Sequence, residues 1–433
     1  MRQSTLLKLI APTLILFSTQ TLALPFQSID PRSLGMGGVG VASGTSANAS
    51  FMNPALLAAA YEDEDFSLEF LGGVRIQDPG GLIDEVDNYQ NNDLESQLTD
   101  SINRFNQINS NPITSPQQLA ESARAVEDAA NIILDQLNKF TNKPLQGEAF
   151  GGMVIGIPSK KMGTALAVNA YLIGGGKVNF TNADNDLVQS VIDDAVATAD
   201  GSRPDALITN DVVADQISGA SNVVDNLTSN VESRGAAIVE IGLSLAREVN
   251  IGGHGVAIGI TPKYVALETF DYRVDVNTAE FDANKGLREF NDFNFDMGLA
   301  RDFGNGWKAG LVAKNLLSKK YKTVQGNTIK INPQVRLGVS RRNDWLTLAA
   351  DMDLMENDPA GFESKSQYLG LGAELDLFDW VQLRAGYRHN LSDSDSSIPT
   401  LGFGFSPFGV HADLALAGNA TDLAVSFQLG FRF

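Results

Sequence analysis

The 433-residue sequence predicts an all-β fold: a transmembrane antiparallel β-barrel of about 14 strands with an N-terminal hatch and helical extracellular loop insertions. Three observations predict it. Apolar residues recur with a period of two in segment after segment. The links between those segments alternate between short and long. After an N-terminal apolar leader, no further run of about 18 apolar residues remains to cross a membrane as a helix. Barrel strands alternate, so their average hydropathy resembles that of a soluble protein, and periodicity has to separate the two.

Composition narrows the function classes. The chain has no cysteine, which excludes disulfide scaffolds, thiol enzymes and zinc ribbons. Acidic residues number 52 against 32 basic ones, a formal charge of -20, and no segment carries the basic stripe that a phosphate backbone would require. Nucleic acid is therefore not an expected partner.

In chain order, the first element reads as a secretory signal over residues 1–23. Arg2 and Lys8 precede the apolar Leu9–Phe17 stretch, and Thr21-Leu22-Ala23 offers small residues for cleavage after Ala23. Residues 24–65 follow as the hatch. Its Pro31–Ala60 portion does not alternate and is dense in Gly35, Gly37, Gly38, Gly40 and Gly44, followed by Phe51-Met52-Asn53-Pro54-Ala55. Glycine permits close backbone approach and proline fixes a bend, properties suited to a compact plug in a crowded lumen. Gly35, Gly37 and Gly40 also satisfy G-x-G-x-x-G, but Asp30-Pro31-Arg32 is no apolar strand and Ser43-Gly44-Thr45 opens no helix, so the dinucleotide reading fails. The acidic Glu62–Asp65 run marks the exit towards the first strand.

The barrel is expected over residues 66–433. Its strands are read at Phe66–Ile76, Met153–Ile157, Leu166–Leu172, Val239–Leu245, Val256–Leu267, Phe293–Leu299 and Trp307–Ala313, then at Val335–Val339, Leu346–Met352, Leu369–Leu375, Val381–Tyr387, Leu401–Phe405 and Val410–Leu416. The clearest is the last, where Leu423, Val425, Phe427, Leu429, Phe431 and Phe433 alternate with small or polar residues. Each is about 8 to 11 residues long with its flanks, the length that crosses a bilayer. The terminal aromatic Phe433 is expected to serve as an assembly signal, with this strand engaging the barrel-assembly machinery and the outer face contacting outer-membrane lipid.

Short links such as Pro158–Lys161, Asp302–Gly306 and Arg342–Asp344 alternate with long ones such as Gln77–Gly147, Gly174–Arg234 and Leu317–Asn332. With the N-terminus in the periplasm, this parity puts the long loops outside a Gram-negative cell. Trp307, Trp345 and Trp380, with Phe303, Phe378, Phe405 and Phe408, sit beside short turns and read as an interfacial girdle. Helical sequence lies in both large insertions, about 77–146 and 174–234. Ser115 caps a helix with Pro116 at its first position, continuing through Leu119, Ala123, Val126, Ala130, Ile133 and Leu137 to Phe140. Further helices are expected at Asp186–Ala199 and Pro204–Ser233.

On the inward parity lie Asp296, Lys308, Lys314, Arg336, Asp351, Asp353, Glu374, Arg384, Arg388, His411, Asp413 and Arg432. Asp296 is expected to face the Lys308 strand, Arg336 the Asp351 strand and Glu374 the Arg384 strand. Such charged ladders are structural in any filled barrel. Of His254, His389 and His411, only His411 shares its face with an acid, Asp413, and no G-x-S-x-G occurs, so no enzyme is expected. Asp184, Asp186, Asp393 and Asp395 are spaced like oxygen ligands but lack a complete calcium loop, so neither a metal nor a cofactor is expected.

Ser33-Leu34-Gly35-Met36-Gly37-Gly38 through Asn53-Pro54-Ala55 resembles the N-terminal hatch of the FadL family of long-chain fatty-acid and hydrophobic-compound transporters. Within that superfamily, Ala237–Glu248 and Ile258–Tyr264 resemble a group labelled conjugal-transfer TraF. The resemblance implies a 14-stranded barrel and places Asn53, Pro54 and Ala55, with Phe51, Gly37 and Gly38 beside them, at a hatch lying where ligand passes. The loops that supply that family's pocket do not match here, so no pocket residue is carried over. Two functions are then in play. One is passive uptake of hydrophobic or amphipathic small molecules, with Leu119, Ile132, Ile133, Leu134 and Leu137 as a candidate capture surface. The other is an interaction protein whose large loops meet a cell surface or a conjugation apparatus, with the barrel as its anchor.

Overall fold

The computed structural model describes residues 30–59, 65–111, 113–200, 202, 228–275, 286–357, 361–362, 365–378, 380–393 and 397–433. The secretory leader, the Glu62–Glu64 part of the acidic run, Asp395 and most of the helix expected from Pro204 lie outside them.

Among the described residues the helical elements are α1 (Pro31–Gly35), a 3-10 turn (Pro54–Leu57), α2 (Leu82–Asn91), α3 (Leu94–Asn109), α4 (Pro116–Phe140) and α5 (Asn182–Ala199). The strands are β1 (Ser67–Gln77), β2 (Pro144–Ile157), β3 (Gly163–Asn179), β4 (Asn230–Ile251), β5 (His254–Asp275), β6 (Leu287–Gly304), β7 (Trp307–Lys314), β8 (Lys319–Lys322), β9 (Thr328–Ile331) and β10 (Gln334–Arg342). They continue as β11 (Leu346–Asp353), β12 (Tyr368–Leu377), β13 (Val381–Asn390), β14 (Ile398–Phe405), β15 (Val410–Gly418) and β16 (Asp422–Arg432).

Fourteen of these strands close into an antiparallel barrel, each beside its chain neighbour, while β8 and β9 form a separate hairpin between β7 and β10. The ring closes where β1 meets β16, from Ser67 opposite Arg432 to Gln77 opposite Asp422. Phe433 belongs to that seam: its carbonyl accepts from the amides of Asp65 (2.6 Å) and Phe66 (3.0 Å). Closure leaves no strand edge unpaired, the condition for placing a sheet in hydrocarbon.

The faces are inverted relative to a soluble protein. On β16, Leu423, Phe427 and Leu429 are 58%, 54% and 56% exposed, while Ser426 and Gln428 are buried. Lipid is the neighbour that makes such an arrangement stable. Trp307, Trp345 and Trp380 point outward near the short turns, and the Trp380 and Phe408 rings approach to 5.2 Å.

The strands exceed the expected length on one side of the barrel. β4 and β5 each run for 22 residues, well past the 9–11 or so that cross a bilayer, so the β3–β6 wall continues beyond the membrane towards the long-loop rim. The extension was missed because Glu268 interrupts the outward apolar parity, which Phe270, Tyr272 and Val274 then resume on β5. Residues Asn230–Ser233, expected to end a helix, instead pair with Asp275–Tyr272 as the start of β4.

α4 has the predicted boundaries. The Ser115 hydroxyl accepts from the Gln118 amide (3.3 Å), and the Gln118 side chain accepts from the Ser115 amide (3.2 Å). This capping box, with Pro116 at the first position, satisfies donors that the helix start cannot pair internally. Phe105 of α3 packs on Ala123 and Val126, and Ile192 of α5 packs on Ala130 and Leu134. Helix-to-helix packing thus accounts for Leu134, a residue expected at a capture surface, and leaves Ile132 half exposed.

The entry to β4 is tied to the start of α5. Asp184 accepts from the amides of Thr228 (2.8 Å) and Ser229 (2.7 Å) and from both hydroxyls. Burial opposes ionisation, yet these hydrogen bonds outweigh it and hold the carboxyl below its ordinary pKa. A depressed folded-state pKa stabilises at pH values above the unfolded one, and that contribution disappears as pH falls through the folded value. The protection factors of the Thr228 and Ser229 amides, taken relative to the intrinsic rate at each pH, should therefore fall on acidification below about pH 4 in the native chain but not in Asp184→Asn. An equal fall in both would dismiss the clamp.

Candidate functional site: the hatch and its cradle

Residues 30–58, the segment read as the hatch, are buried and meet the inward face of the ring. The path starts and ends on the short-turn rim. Near its start, Arg32 meets Glu374 and Ser43; near its end, the Leu57 carbonyl accepts from the Ser159 amide in the β2–β3 turn (2.9 Å).

The N-terminal part is fixed by charge. Asp30 caps α1 through the Ser33 amide (2.9 Å), and Pro31 occupies the first position. Arg32 binds Glu374 in a two-pronged pair at 2.8 and 2.7 Å. Glu374 also accepts from Arg384 at 2.6 Å, and Arg384 continues to Asp413. Of this chain, the Glu374–Arg384 contact was expected from strand parity, whereas Arg32 and the extension to Asp413 were not.

The middle part is held by its backbone. Gly37 and Gly38 have φ of +74° and +85°, a left-handed turn that side chains disfavour. The Gly37 amide donates to Thr400 (2.9 Å), and the Gly38 carbonyl accepts from Arg336 (3.1 Å), which also pairs with Asp353 at 2.6 Å. One oxygen of Asp351 accepts from the amides of Gly40 (2.7 Å) and Val41 (2.9 Å). Asp351 therefore serves the hatch, while Asp353 pairs with the arginine.

The exit portion is organised by Asn53-Pro54-Ala55. The Asn53 amide donates to the carbonyls of Val41 (2.9 Å) and Leu299 (3.0 Å), joining hatch to hatch and hatch to wall, while its oxygen caps the 3-10 turn through the Ala55 amide (3.1 Å). Phe51 packs with Leu71, Val154 and Ala167. Its carbonyl accepts from Lys314, and that of Ala59 accepts from Lys308. Lys308 thus serves the hatch and does not pair with Asp296. Asp296 binds Lys263 at 3.1 Å, and Lys263 also binds Glu240 at 3.0 Å.

The wall accommodates this backbone because it is stripped of side chains where they meet. A Cβ on Gly386 would lie 2.8 Å from the Met36 Cα, one on Gly310 3.0 Å from the Val41 carbonyl carbon, and one on Gly402 3.2 Å from the Gly35 Cα. Gly259, Gly298, Gly370 and Gly372 face the hatch in the same way. Inward glycines were missed because the inward parity was read for charge alone; their recurrence on that parity was the available signal.

Further ion pairs brace the lumen. Arg75 binds Asp422 (2.9 Å to one oxygen) and Glu148 (3.2 Å), and Arg432 binds Glu69 at 2.9 Å. His411 pairs with Glu69 at 2.6 Å, not with Asp413, which is taken by Arg384. Arg388 lies over the Tyr368 ring at 4.7 Å, with its Nε and Nη2 buried and, among the described residues, without hydrogen-bond partners. A cavity of about 230 Å3 at the short-turn rim is walled by Arg32, Glu374, Arg384, His411, Asp413 and Arg432. Among the described residues no cluster of metal-ligating side chains occurs.

The sequence matches the family described as "F plasmid transfer operon, TraF, protein" over residues 50–353. Among solved structures, a deltaS2S3 mutant of the TodX monoaromatic hydrocarbon channel is similar with a TM-score of 0.51 at 9% identity, covering 93% of this chain and 99% of that one. The P. putida toluene transporter TodX has a TM-score of 0.47 at 9% identity, covering 93% and 98%. A Pseudomonas aeruginosa FadL homologue has a TM-score of 0.47 at 12% identity, covering 94% and 98%. No curated protein matches in sequence.

Proposed function

Because this chain belongs to the family of the F plasmid transfer operon protein TraF and has the closed-barrel fold of FadL-type hydrocarbon channels, we propose that it is an outer-membrane channel for passive uptake of hydrophobic or amphipathic small molecules, closed by its hatch. One observation supports this most directly. Among the described residues the hatch lies within the ring yet contributes no strand to the barrel, so it can be displaced while every ladder of the ring stays intact. Besides the backbone bond from the Ser159 amide to the Leu57 carbonyl, its attachments include side-chain contacts, through Arg32, Asp351, Asn53, Lys308 and Lys314, that can exchange for water. A monoaromatic solute, the cargo named for TodX, is the first probe to try.

Asn53→Ala tests the hatch role. It leaves the Val41 and Leu299 carbonyls without their shared donor, at a cost of about 1–3 kcal/mol. Uptake of a labelled monoaromatic probe by expressing cells should change by roughly tenfold, since about 1.4 kcal/mol is a factor of ten. The heat-modifiable folded band should remain. Equal uptake by cells with and without the protein would refute the channel.

A second reading is favoured by the helical cap. α3, α4 and α5 share apolar cores of their own, and Asp84, Asp87, Glu121, Asp128 and Asp193 are exposed. Such a folded, acidic cap suits docking to a cell surface or a conjugation apparatus, with the barrel as anchor. Deleting both insertions discriminates: mating or adhesion would be lost while uptake persists.

A further inference from the structure

The inward face of β3–β6 changes character along its length. Where it borders the hatch it carries Asn169, Glu240, Lys263 and Asp296; a few residues further from the short-turn rim, the same parity carries Ile173, Ile238, Val265 and Leu267, all buried. An apolar patch inside a charged lumen needs a partner. The β8–β9 hairpin supplies it, turning Tyr321, Ile329 and Ile331 onto the patch, each 2% exposed, while Lys320 and Lys322 face away. The Tyr321 ring also lies 5.0 Å from that of Phe290.

Two carboxylates on the wall latch the hairpin. Asp292 accepts from Lys319 (2.5 Å) and from the Tyr321 hydroxyl (3.3 Å). Asp271 accepts from Thr323 (2.5 Å) and Asn327 (2.8 Å) at the hairpin tip. Beside that tip a cavity of about 260 Å3 opens, lined in part by Asp271, Gln325, Asn327 and Phe362. The hairpin joins the wall by a short tether that starts at Asn315, itself in the left-handed region with φ of 54°.

We infer that the Ile173–Ile238–Val265–Leu267 patch is a binding site for an apolar, ring-sized molecule, and that the β8–β9 hairpin is its tethered competitor. The inference rests on the channel reading for its biological sense. Its physical basis is independent: Tyr321, Ile329 and Ile331 present to the wall one aromatic ring and two branched aliphatic groups, the surface an apolar solute would offer. Latch and ligand then compete for one patch, and the solute binds as the hairpin lifts.

The absence of cysteine gives a clean background for the test. Detergent-solubilised protein is titrated with N-phenyl-1-naphthylamine, whose fluorescence rises in apolar surroundings. Tyr321→Ser/Ile329→Ser/Ile331→Ser should bind the probe at least about tenfold more tightly than the native chain, because the competitor has lost its grip. In Asp271→Cys/Thr323→Cys, a reducible bifunctional thiol linker should abolish binding, and reductant should restore it. Equal binding by the native and triple-serine proteins, or binding that persists in the linked protein, overturns the inference. Should the triple variant lose its heat-modifiable barrel, the linked pair decides alone. Probe binding that follows the hairpin while cellular uptake stays absent would defeat the channel reading and leave this site standing.

Discussion

Gly386→Leu is expected to unseat the hatch while the barrel stays closed. The new side chain would occupy the space of the Met36 and Gly37 backbone, which has no alternative rotamer to adopt. Overpacking a filled interior costs about 1–3 kcal/mol and more where backbone is the obstacle. At about 1.4 kcal/mol per factor of ten, the seated state loses at least roughly tenfold in population. The readout is maleimide labelling of a cysteine placed at Ala42, buried in the native hatch, measured on protein that still shows the heat-modifiable band. Labelling should rise about tenfold in Gly386→Leu. Gly147→Leu is the matched control, since a Cβ there meets nothing within 4 Å. If labelling is the same in both, the hatch does not depend on the bare wall.

Glu374→Gln should have the other large effect, because Glu374 holds two buried guanidinium groups, one from the hatch and one from the wall. Removing one member of a buried pair costs about 3–5 kcal/mol, most of it from the charge left behind. Arg384 keeps Asp413 and Arg32 keeps the Ser43 carbonyl, so what is lost is the link between the α1 end of the hatch and the wall. Protection of the α1 amides should drop by more than about a hundredfold. Adding Arg32→Met to Glu374→Gln should recover part of it, since the two changes share one interaction. Strictly additive losses would show that the contact contributes little.

The α4 boundaries were legible because Ser115, Pro116 and Gln118 act locally, and the strand faces because alternation is a local property as well. The glycines of Pro31–Ala60 and the failure of alternation there set that segment apart from the strands. Ion partners were less so. Parity identified Asp296, Lys308 and Asp351 as inward, but their partners depend on stagger between strands and on what fills the lumen: Lys263, the Ala59 carbonyl and the hatch amides respectively.

By itself the sequence determined that this chain closes a sheet with apolar residues outward and places a glycine-rich segment near its start, since both follow from periods and residue types within a few positions of one another. Only the tertiary structure decided that the wall is bare where the hatch lies, that β4 and β5 outrun the membrane, and that the hairpin following β7 folds inward onto an apolar patch. The physical reason is that a missing side chain, a strand whose apolar parity is interrupted by a charge and a loop amphipathic over four residues carry little local signature. Each takes its meaning from a surface contributed by residues far away in the chain.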